Sequence, residues 1–204
     1  MLRVGLTGGI ACGKSTVAAR LAARGVPIVN DDEAAREAVA PGSDGLAEVV
    51  REFGAEVLAS DGSLDRPRLG RIVFADDARR RRLMAITHPR IGAILRERFA
   101  RAERSGAPIV VYESALLIEN GAADAWRPLV VVTTRPEIQL ERLCRRSGLG
   151  RDEALARIRA QLPLERKAAL ADHVVENSGS VAELERAVDA LHRALERQAG
   201  LASS

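Results

Sequence analysis

The segment that most constrains the fold of this chain lies near its start, where residues 8–15 read Gly-Gly-Ile-Ala-Cys-Gly-Lys-Ser. A glycine, four residues and then Gly-Lys-Ser is the spacing of the P-loop, a turn that binds nucleotide phosphates. The apolar segment Leu2–Thr7 predicts a strand before it, and Val17 and Leu21 predict a helix after it. The alternative, a glycine-rich turn with a lysine by chance, does not account for these flanking elements.

The residue types of this loop predict roles toward a nucleotide. Backbone N–H groups of such a loop converge on phosphate oxygens, and the dipole of the following helix adds positive potential. Lys14 is expected to bridge the β- and γ-phosphates as a catalytic cation, and the Ser15 hydroxyl to bind Mg²⁺. The residues predicted to bind ATP in this segment are Gly8, Gly9, Ile10, Ala11, Cys12, Gly13, Lys14, Ser15 and Thr16.

Cys12, inside the loop, has two interpretations. It is either a small residue that fits the turn, or a thiol whose pKa is lowered by electropositive surroundings near a helix N-terminus. The second interpretation predicts rapid alkylation that Mg-ATP suppresses. Cys12 and Cys144 together give no disulfide framework and no metal-ligand spacing.

The hydrophobic pattern further along the chain predicts strands that alternate with helices. Four more short apolar segments predict strands, at Val26–Val29, Ile109–Tyr112, Leu129–Thr133 and His173–Val175. Helices are predicted at Ser15–Arg24, Pro136–Arg146 and Asp152–Leu162, and after a capping box of Ser180 and Glu183. Residues 43–105 show apolar stripes at helical spacing and no strong strand. We therefore predict an α/β fold with a mainly parallel five-stranded sheet, flanking helices and a helical insertion.

Composition and charge exclude several classes of protein. No run of about 18 apolar residues occurs, which excludes a transmembrane helix. The apolar start of the chain is too short for a signal peptide, so we expect a cytoplasmic protein without a membrane partner. A net charge of +3 and 2% aromatic residues argue against a nucleic-acid partner. The sequence leaves the choice between a monomer and a small homo-oligomer open.

A P-loop alone does not distinguish a kinase from a GTPase or another ATPase. The chain is short for a motor or helicase core and has no GTPase-type guanine motif. Asn30-Asp31-Asp32 follow the second predicted strand, at the carboxyl edge of a parallel sheet beside the P-loop crevice. A carboxylate there either accepts a proton from an acceptor hydroxyl or caps the next helix.

An ordered series of motifs resembles the dephospho-CoA kinase family over nearly the whole chain. The motifs are Leu6-Thr7-Gly8-Gly9-Ile10, Phe53-Gly54, Asp61-Gly62-Ser63-Leu64-Asp65-Arg66, Ile86-Thr87-His88-Pro89, Leu116-Leu117-Ile118-Glu119, Gln139-Leu140-Glu141-Arg142-Leu143, Arg157-Ile158 with Gln161, and Ala171-Asp172-His173-Val174 with Asn177-Ser178-Gly179. The resemblance implies a P-loop NTPase fold. It also implies transfer of the γ-phosphoryl group of ATP to the ribose 3′-hydroxyl of dephospho-CoA. The alternative is another P-loop kinase that acts on a nucleotide or small metabolite.

The resemblance also divides the chain and assigns residues on the acceptor side. It implies a single kinase domain with a nucleotide-binding core at 1–42 and 106–204, a helical CoA-binding subdomain at 43–105 and a lid region at 137–170. Asp32 becomes the catalytic carboxylate that faces the acceptor hydroxyl. The residues at family positions for substrate binding are Asp32, Asp65, Arg66, His88 and Leu116.

The resemblance also implies further residues that contact ATP or its metal ion. Arg142 and Arg146 lie four residues apart on one helix face and are expected to bind ATP, with Arg142 also catalytic. Asn177 is a candidate contact of the nucleotide. Glu113 ends the third predicted strand, where the family usually has aspartate, and is expected to hold Mg²⁺ through a water molecule.

Four residues depart from the family pattern. Asn30 and Ser147 stand where aspartate is usual, and Ala115 stands where proline is usual. Ala11 replaces a usual glycine. If the backbone there has a positive φ angle, alanine destabilises the loop by about 1 kcal/mol or more.

Overall fold

The computed structural model describes residues 1–201, which form two compact units. The first unit contains residues 1–29 and the described residues from 101 onward, and the second contains residues 30–100. The second unit begins before the sequence-based boundary at residue 43, because it includes the helix that follows the second strand.

The five predicted strands are confirmed, and they form one parallel sheet. The strands are β1 (Leu2–Gly8), β2 (Ile28–Asn30), β3 (Ile109–Glu113), β4 (Leu129–Thr133) and β5 (His173–Glu176), in the order β2-β3-β1-β4-β5. In the register of the central strands, Leu2 lies opposite Ile109 and Gly5 opposite Leu129. The carboxyl ends of β1 and β3 therefore meet at one edge of the sheet.

Helices lie between most of these strands and after the last one. They are α1 (Lys14–Ala22), α2 (Asp31–Glu37), α3 (Asp44–Phe53), α4 (Arg66–Phe74), α5 (Asp77–Arg104), α6 (Pro136–Ser147), α7 (Arg151–Arg159), α8 (Leu164–Ala168) and α9 (Val181–Gln198). Local sequence explains several starts. Ser43 accepts a hydrogen bond from the Leu46 N–H, and Ser180 and Glu183 form the predicted capping box of α9.

One predicted helix is wrong in extent. The sequence pattern predicted a helix over Asp152–Leu162, but α7 ends at Arg159 and a separate short helix, α8, starts after Pro163. Proline supplies no N–H and disfavours a helical conformation of the residue before it, so the helix cannot run through Pro163. This break places α8 against β4.

The core of the first unit has two layers around the sheet. On one face, Val4 and Leu6 of β1 pack with residues of α1 and α9. The buried residues of α9 are the predicted stripe Leu184, Val188, Leu191 and Leu195. On the other face, Leu129 and Val131 pack with Leu117. A sheet that is covered on both faces explains why its strands read as continuous apolar segments.

Residues 30–100 have a core of their own. Its buried residues come from α2–α5 and the turns between them: Val39, Leu46, Val49, Phe53, Val57, Leu69, Val73 and Ile86. An antiparallel bridge joins Leu58 to Leu64. Across residues 1–201, no helix combines the length and the apolar composition that a membrane span requires.

Candidate nucleotide-binding site

The loop between β1 and α1 has the backbone of a tight phosphate-binding turn. Gly13 precedes α1 with φ of 90°, and Ala11 has φ of 60°. The Cys12 N–H donates to the Gly9 carbonyl at 3.2 Å. A side chain at position 13 would collide with the Asn177 amide, which gives a second reason for glycine there. The condition set in the sequence analysis is met, because position 11 has a positive φ, so Ala11 is strained.

Three side-chain amides from other elements hold this loop. The Gln139 Nε2 donates to the Ile10 carbonyl at 2.8 Å, and the Ile10 N–H donates to Gln161 Oε1 at 2.7 Å. The Asn177 Nδ2 donates to the Cys12 carbonyl at 2.8 Å. Sequence reasoning gave no role to Gln139 or Gln161, although both stand in motifs shared with the family. The loop is thereby shaped by a residue of α6, the residue after β5 and a residue of the segment between α7 and α8.

Lys14, the first residue of α1, is paired with Glu113, the last residue of β3. Lys14 Nζ lies 2.6 Å from Glu113 Oε1. The Glu113 side chain is 3% exposed and that of Lys14 12% exposed, so the pair is largely removed from solvent. The sheet edge thus brings together two of the predicted site residues. Ser15 and Thr16 are exposed in the first turn of α1.

The thiol of Cys12 does not have the lowered pKa that one interpretation predicted. Cys12 is fully buried, and this burial raises the pKa of its thiol to about 11, in spite of the Gly9 hydrogen bond and the positive charges of Lys167 and Arg142. Desolvation of the thiolate outweighs the nearby charges here. Cys12 is therefore a small residue that fits the turn.

A cavity of about 250 Å³ lies next to the loop, at the start of α9. Its lining residues are Gly13, Thr16, Arg20, Arg142, Asn177, Gly179, Ser180, Val181 and Leu184. Arg142 Nη1 donates to the Asn177 carbonyl at 2.9 Å, so this arginine and this asparagine are fixed to each other. Arg146, four residues on along α6, is exposed.

Four of the predicted substrate-binding residues lie in the second unit. Asp32 is exposed in the first turn of α2. Asp65 caps α4 by accepting from the Arg68 N–H at 2.9 Å. Arg66 lines an apolar cavity between α2, α4 and α5, and burial together with the charge of Arg36 lowers the pKa of its guanidinium. His88 is exposed on α5.

Comparison with known proteins identifies the family of this chain. A family model described as Dephospho-CoA kinase matches residues 2–183. A dephospho-CoA kinase of Anaeromyxobacter dehalogenans is 55% identical over 177 residues, which cover 87% of this chain and 84% of that protein. The chain belongs to the dephospho-CoA kinase family.

Solved structures support the same assignment. A protein from Thermus thermophilus is 39% identical, with a TM-score of 0.81, and the match covers 95% of this chain and 97% of that one. The dephospho-CoA kinase from Campylobacter jejuni is 26% identical, with a TM-score of 0.69, and the match covers 96% and 97% of the two chains. The predicted P-loop kinase fold is confirmed.

The departures from the dephospho-CoA kinase pattern have local consequences. Asn30 caps α2 by accepting from the Glu33 N–H at 3.0 Å, and asparagine and aspartate are about equally favoured in this capping role. The carbonyl of Ala115 accepts from the Thr7 hydroxyl at 3.3 Å and from Lys167 Nζ at 3.2 Å. Leu116, next in the chain, is 44% exposed. Ser147 ends α6 and is exposed.

Proposed function

We propose that this chain transfers the γ-phosphoryl group of ATP to the ribose 3′-hydroxyl of dephospho-CoA and releases CoA and ADP. Its membership of the dephospho-CoA kinase family supports this acceptor. The observation that supports ATP binding is the loop of residues 8–15 at the start of α1. This loop contains the strained Ala11 and is held by hydrogen bonds to three side-chain amides.

The ATP phosphates bind in this loop and the nucleoside binds beside it. Backbone N–H groups of residues 8–16 bind phosphate oxygens at the positive end of the α1 dipole. The cavity lined by Arg142 and Asn177 takes the nucleoside part of ATP, because it opens directly from Gly13 and Thr16. The planar guanidinium of Arg142 is suited to stacking on an aromatic base as well as to contacting phosphate.

The cations of the site stabilise negative charge that spreads over the transferring phosphoryl group. Lys14 supplies a point charge at the β- and γ-phosphates. Arg142 and Arg146 add charge from α6, in the lid region of residues 137–170. These groups act by position, since phosphoryl transfer demands little covalent chemistry from the protein.

The residues present fit Mg²⁺. Magnesium prefers oxygen ligands and keeps several bound water molecules. One hydroxyl and one carboxylate from the protein are therefore enough to form a Mg²⁺ site. Ser15 offers an exposed hydroxyl next to Lys14, and Glu113 offers a carboxylate at the adjoining strand end. We assign Ser15 as a direct ligand and Glu113 as a ligand through water. When bound, Mg²⁺ supplies neutralisation of phosphate charge.

We assign binding of the acceptor, dephospho-CoA, mainly to the helical residues of the second unit. Asp32 accepts the proton of the ribose hydroxyl or orients that hydroxyl for attack. Residues 43–105 form the CoA-binding subdomain, where Arg66 offers a positive charge to the diphosphate of dephospho-CoA beside an apolar cavity. Asp65, His88 and Leu116 are the remaining proposed contacts of dephospho-CoA. We further propose that the protein works in the cytoplasm, as a monomer or small homo-oligomer.

The test is release of ADP from Mg-ATP with dephospho-CoA as acceptor, beside AMP, adenosine and shikimate. We expect turnover with dephospho-CoA alone, and CoA as the product by mass spectrometry. Turnover on a different acceptor would show that the loop binds ATP but that the acceptor assignment is wrong. Omission of Mg²⁺ in the presence of a chelator is expected to abolish turnover.

A further inference from the structure

Lys167 of α8 is a charged side chain without solvent exposure, although lysine is among the residues most rarely buried in this way. Its Nζ lies 2.7 Å from Glu119 Oε1, 3.2 Å from the Ala115 carbonyl oxygen and 3.5 Å from the Gly8 carbonyl oxygen. A lysine ammonium has three N–H donors and no acceptor. Three donors thus meet three acceptors, which accounts for the burial of the charge.

Two of these acceptors lie where the sheet meets the nucleotide-binding loop. Gly8 is the last residue of β1 and the first residue of the loop. Ala115 follows β3 by two residues, and β3 ends on Glu113, the partner of Lys14. Lys167 therefore connects the end of β1, which leads into the loop, to the end of β3, which holds Glu113. Lys14 is paired with Glu113 and follows the loop.

The choice of lysine is informative in this chain. Of the 31 lysine and arginine residues, 29 are arginine, and Lys14 and Lys167 are the two lysines. An ammonium is a compact point with donors that turn toward acceptors on several sides, whereas a guanidinium is a rigid planar fork. Three acceptors converge on the one Nζ atom from two segments, Gly8 from the end of β1 and Ala115 with Glu119 from the loop after β3. This arrangement fits lysine and not arginine.

We propose that Lys167 is a positioning residue for ATP binding, which sets the spacing between the start of the phosphate-binding loop and Glu113. It acts through the Gly8 and Ala115 carbonyls and has no contact with ATP. Glu119 balances its charge, and the Leu162 N–H also donates to that carboxylate, at 3.2 Å. The inference rests on the proposed function only in that it takes ATP as the ligand of the loop.

The experiment compares Lys167→Met, Lys167→Arg and the double variant Lys167→Met/Glu119→Gln with the parent chain. The readouts are the Kd for Mg-ATP by calorimetry without acceptor, the thermal midpoint, and kcat and KM with dephospho-CoA. We expect Lys167→Met to raise the Kd for Mg-ATP by about tenfold or more, with a smaller loss in kcat. Lys167→Arg is also expected to raise the Kd for Mg-ATP, because the planar guanidinium of arginine does not match the positions of the three acceptors.

The double variant separates positioning from charge balance. If Lys167 only neutralises Glu119, removing both charges restores the thermal midpoint and the Kd together. The proposal expects the midpoint to recover while the Kd stays raised. Recovery of both, or a normal Kd in Lys167→Met, overturns it. If Lys167→Met does not fold, the double variant and Lys167→Arg decide the question.

Leu195→Ala is the matched control for loss of stability. Leu195 is buried near the end of α9, whereas the nucleotide cavity lies at the start of that helix. This variant is expected to lower the thermal midpoint and to leave the Kd for Mg-ATP within about twofold of the parent. If the parent chain binds Mg-ATP but does not phosphorylate dephospho-CoA, the proposed function is wrong. The Lys167 test remains valid in that case, because it measures Mg-ATP binding.

Discussion

Lys14 and Glu113 form a 2.6 Å ion pair between the first turn of α1 and the end of β3. The pair directs the lysine along the edge of the sheet beside the loop that is proposed to bind phosphate, so the fold itself orients the cation. Because both side chains are largely buried, the geometry is held by surrounding protein rather than by flexible side chains in solvent.

Lys14→Met is expected to lower kcat by about 10²–10³-fold, as loss of one charged group at a developing negative charge does. It also leaves the buried Glu113 carboxylate without its lysine partner, so the free energy of unfolding falls. Steady-state kinetics and urea denaturation measure the two effects. The double variant Lys14→Met/Glu113→Gln is expected to regain stability but not activity. Activity in that double variant would remove Lys14 from the chemistry.

Asp32→Asn is expected to lower kcat by about 10²–10⁴-fold, the range of a lost general base, with little change in the Kd for Mg-ATP. The reason is that its proposed role concerns the acceptor hydroxyl and not the nucleotide. Glu33→Gln is the matched control, since Glu33 is also an exposed carboxylate in the first turn of α2. Equal kcat values for the parent and Asp32→Asn contradict the assignment.

Ala11→Gly is expected to raise the free energy of unfolding by about 0.5–1 kcal/mol. Relief of a left-handed alanine contributes about 1–2 kcal/mol, and the greater freedom of glycine in the unfolded chain offsets part of it. Urea denaturation is the measurement. The control is Ala23→Gly at the end of α1, where φ is −63° and glycine is expected to destabilise. A loss of stability in Ala11→Gly would show that the strain is relieved in another way.

Cys12 is expected to alkylate far more slowly than Cys144 at pH 8. With a pKa of about 11, its thiolate fraction at that pH is about one part in a thousand, and the side chain is buried as well. Reactivity rises only as the pH approaches the raised pKa. Mass spectrometry of iodoacetamide-treated protein resolves the two sites. Faster labelling of Cys12 than of Cys144 contradicts the buried, protonated thiol.

Much of the fold could be predicted because its signals are local in sequence. The strands are short apolar segments, the P-loop is one continuous motif, and the α9 stripe repeats within one helix. The short helix α8 was not predicted, because five residues contain too little of a helical period to recognise. The proline that separates it from α7 was a signal available in the sequence.

The contacts that shape the loop could not be predicted from residue patterns. Gln161 reaches Ile10 across 151 residues, Asn177 reaches Cys12 across 165, and Lys167 reaches Gly8 across 159. Spacing within one element carries no information about which distant side chains meet. Those pairings follow from the order of the strands, which is known only from the fold, together with the break at Pro163.

The hydrogen bonds between the Ile10 backbone and the side-chain amides of Gln139 and Gln161 make the Ile10 N–H a probe of whether the loop is formed. The Ile10 N–H is held by a side chain from the segment between α7 and α8, so its proton exchanges with deuterium only when that segment moves away or the loop opens. Slow exchange at this amide before ATP is added would mean that the loop takes its binding shape as the chain folds. The entropy of ordering it is then lost during folding, and ATP meets a rigid receptor.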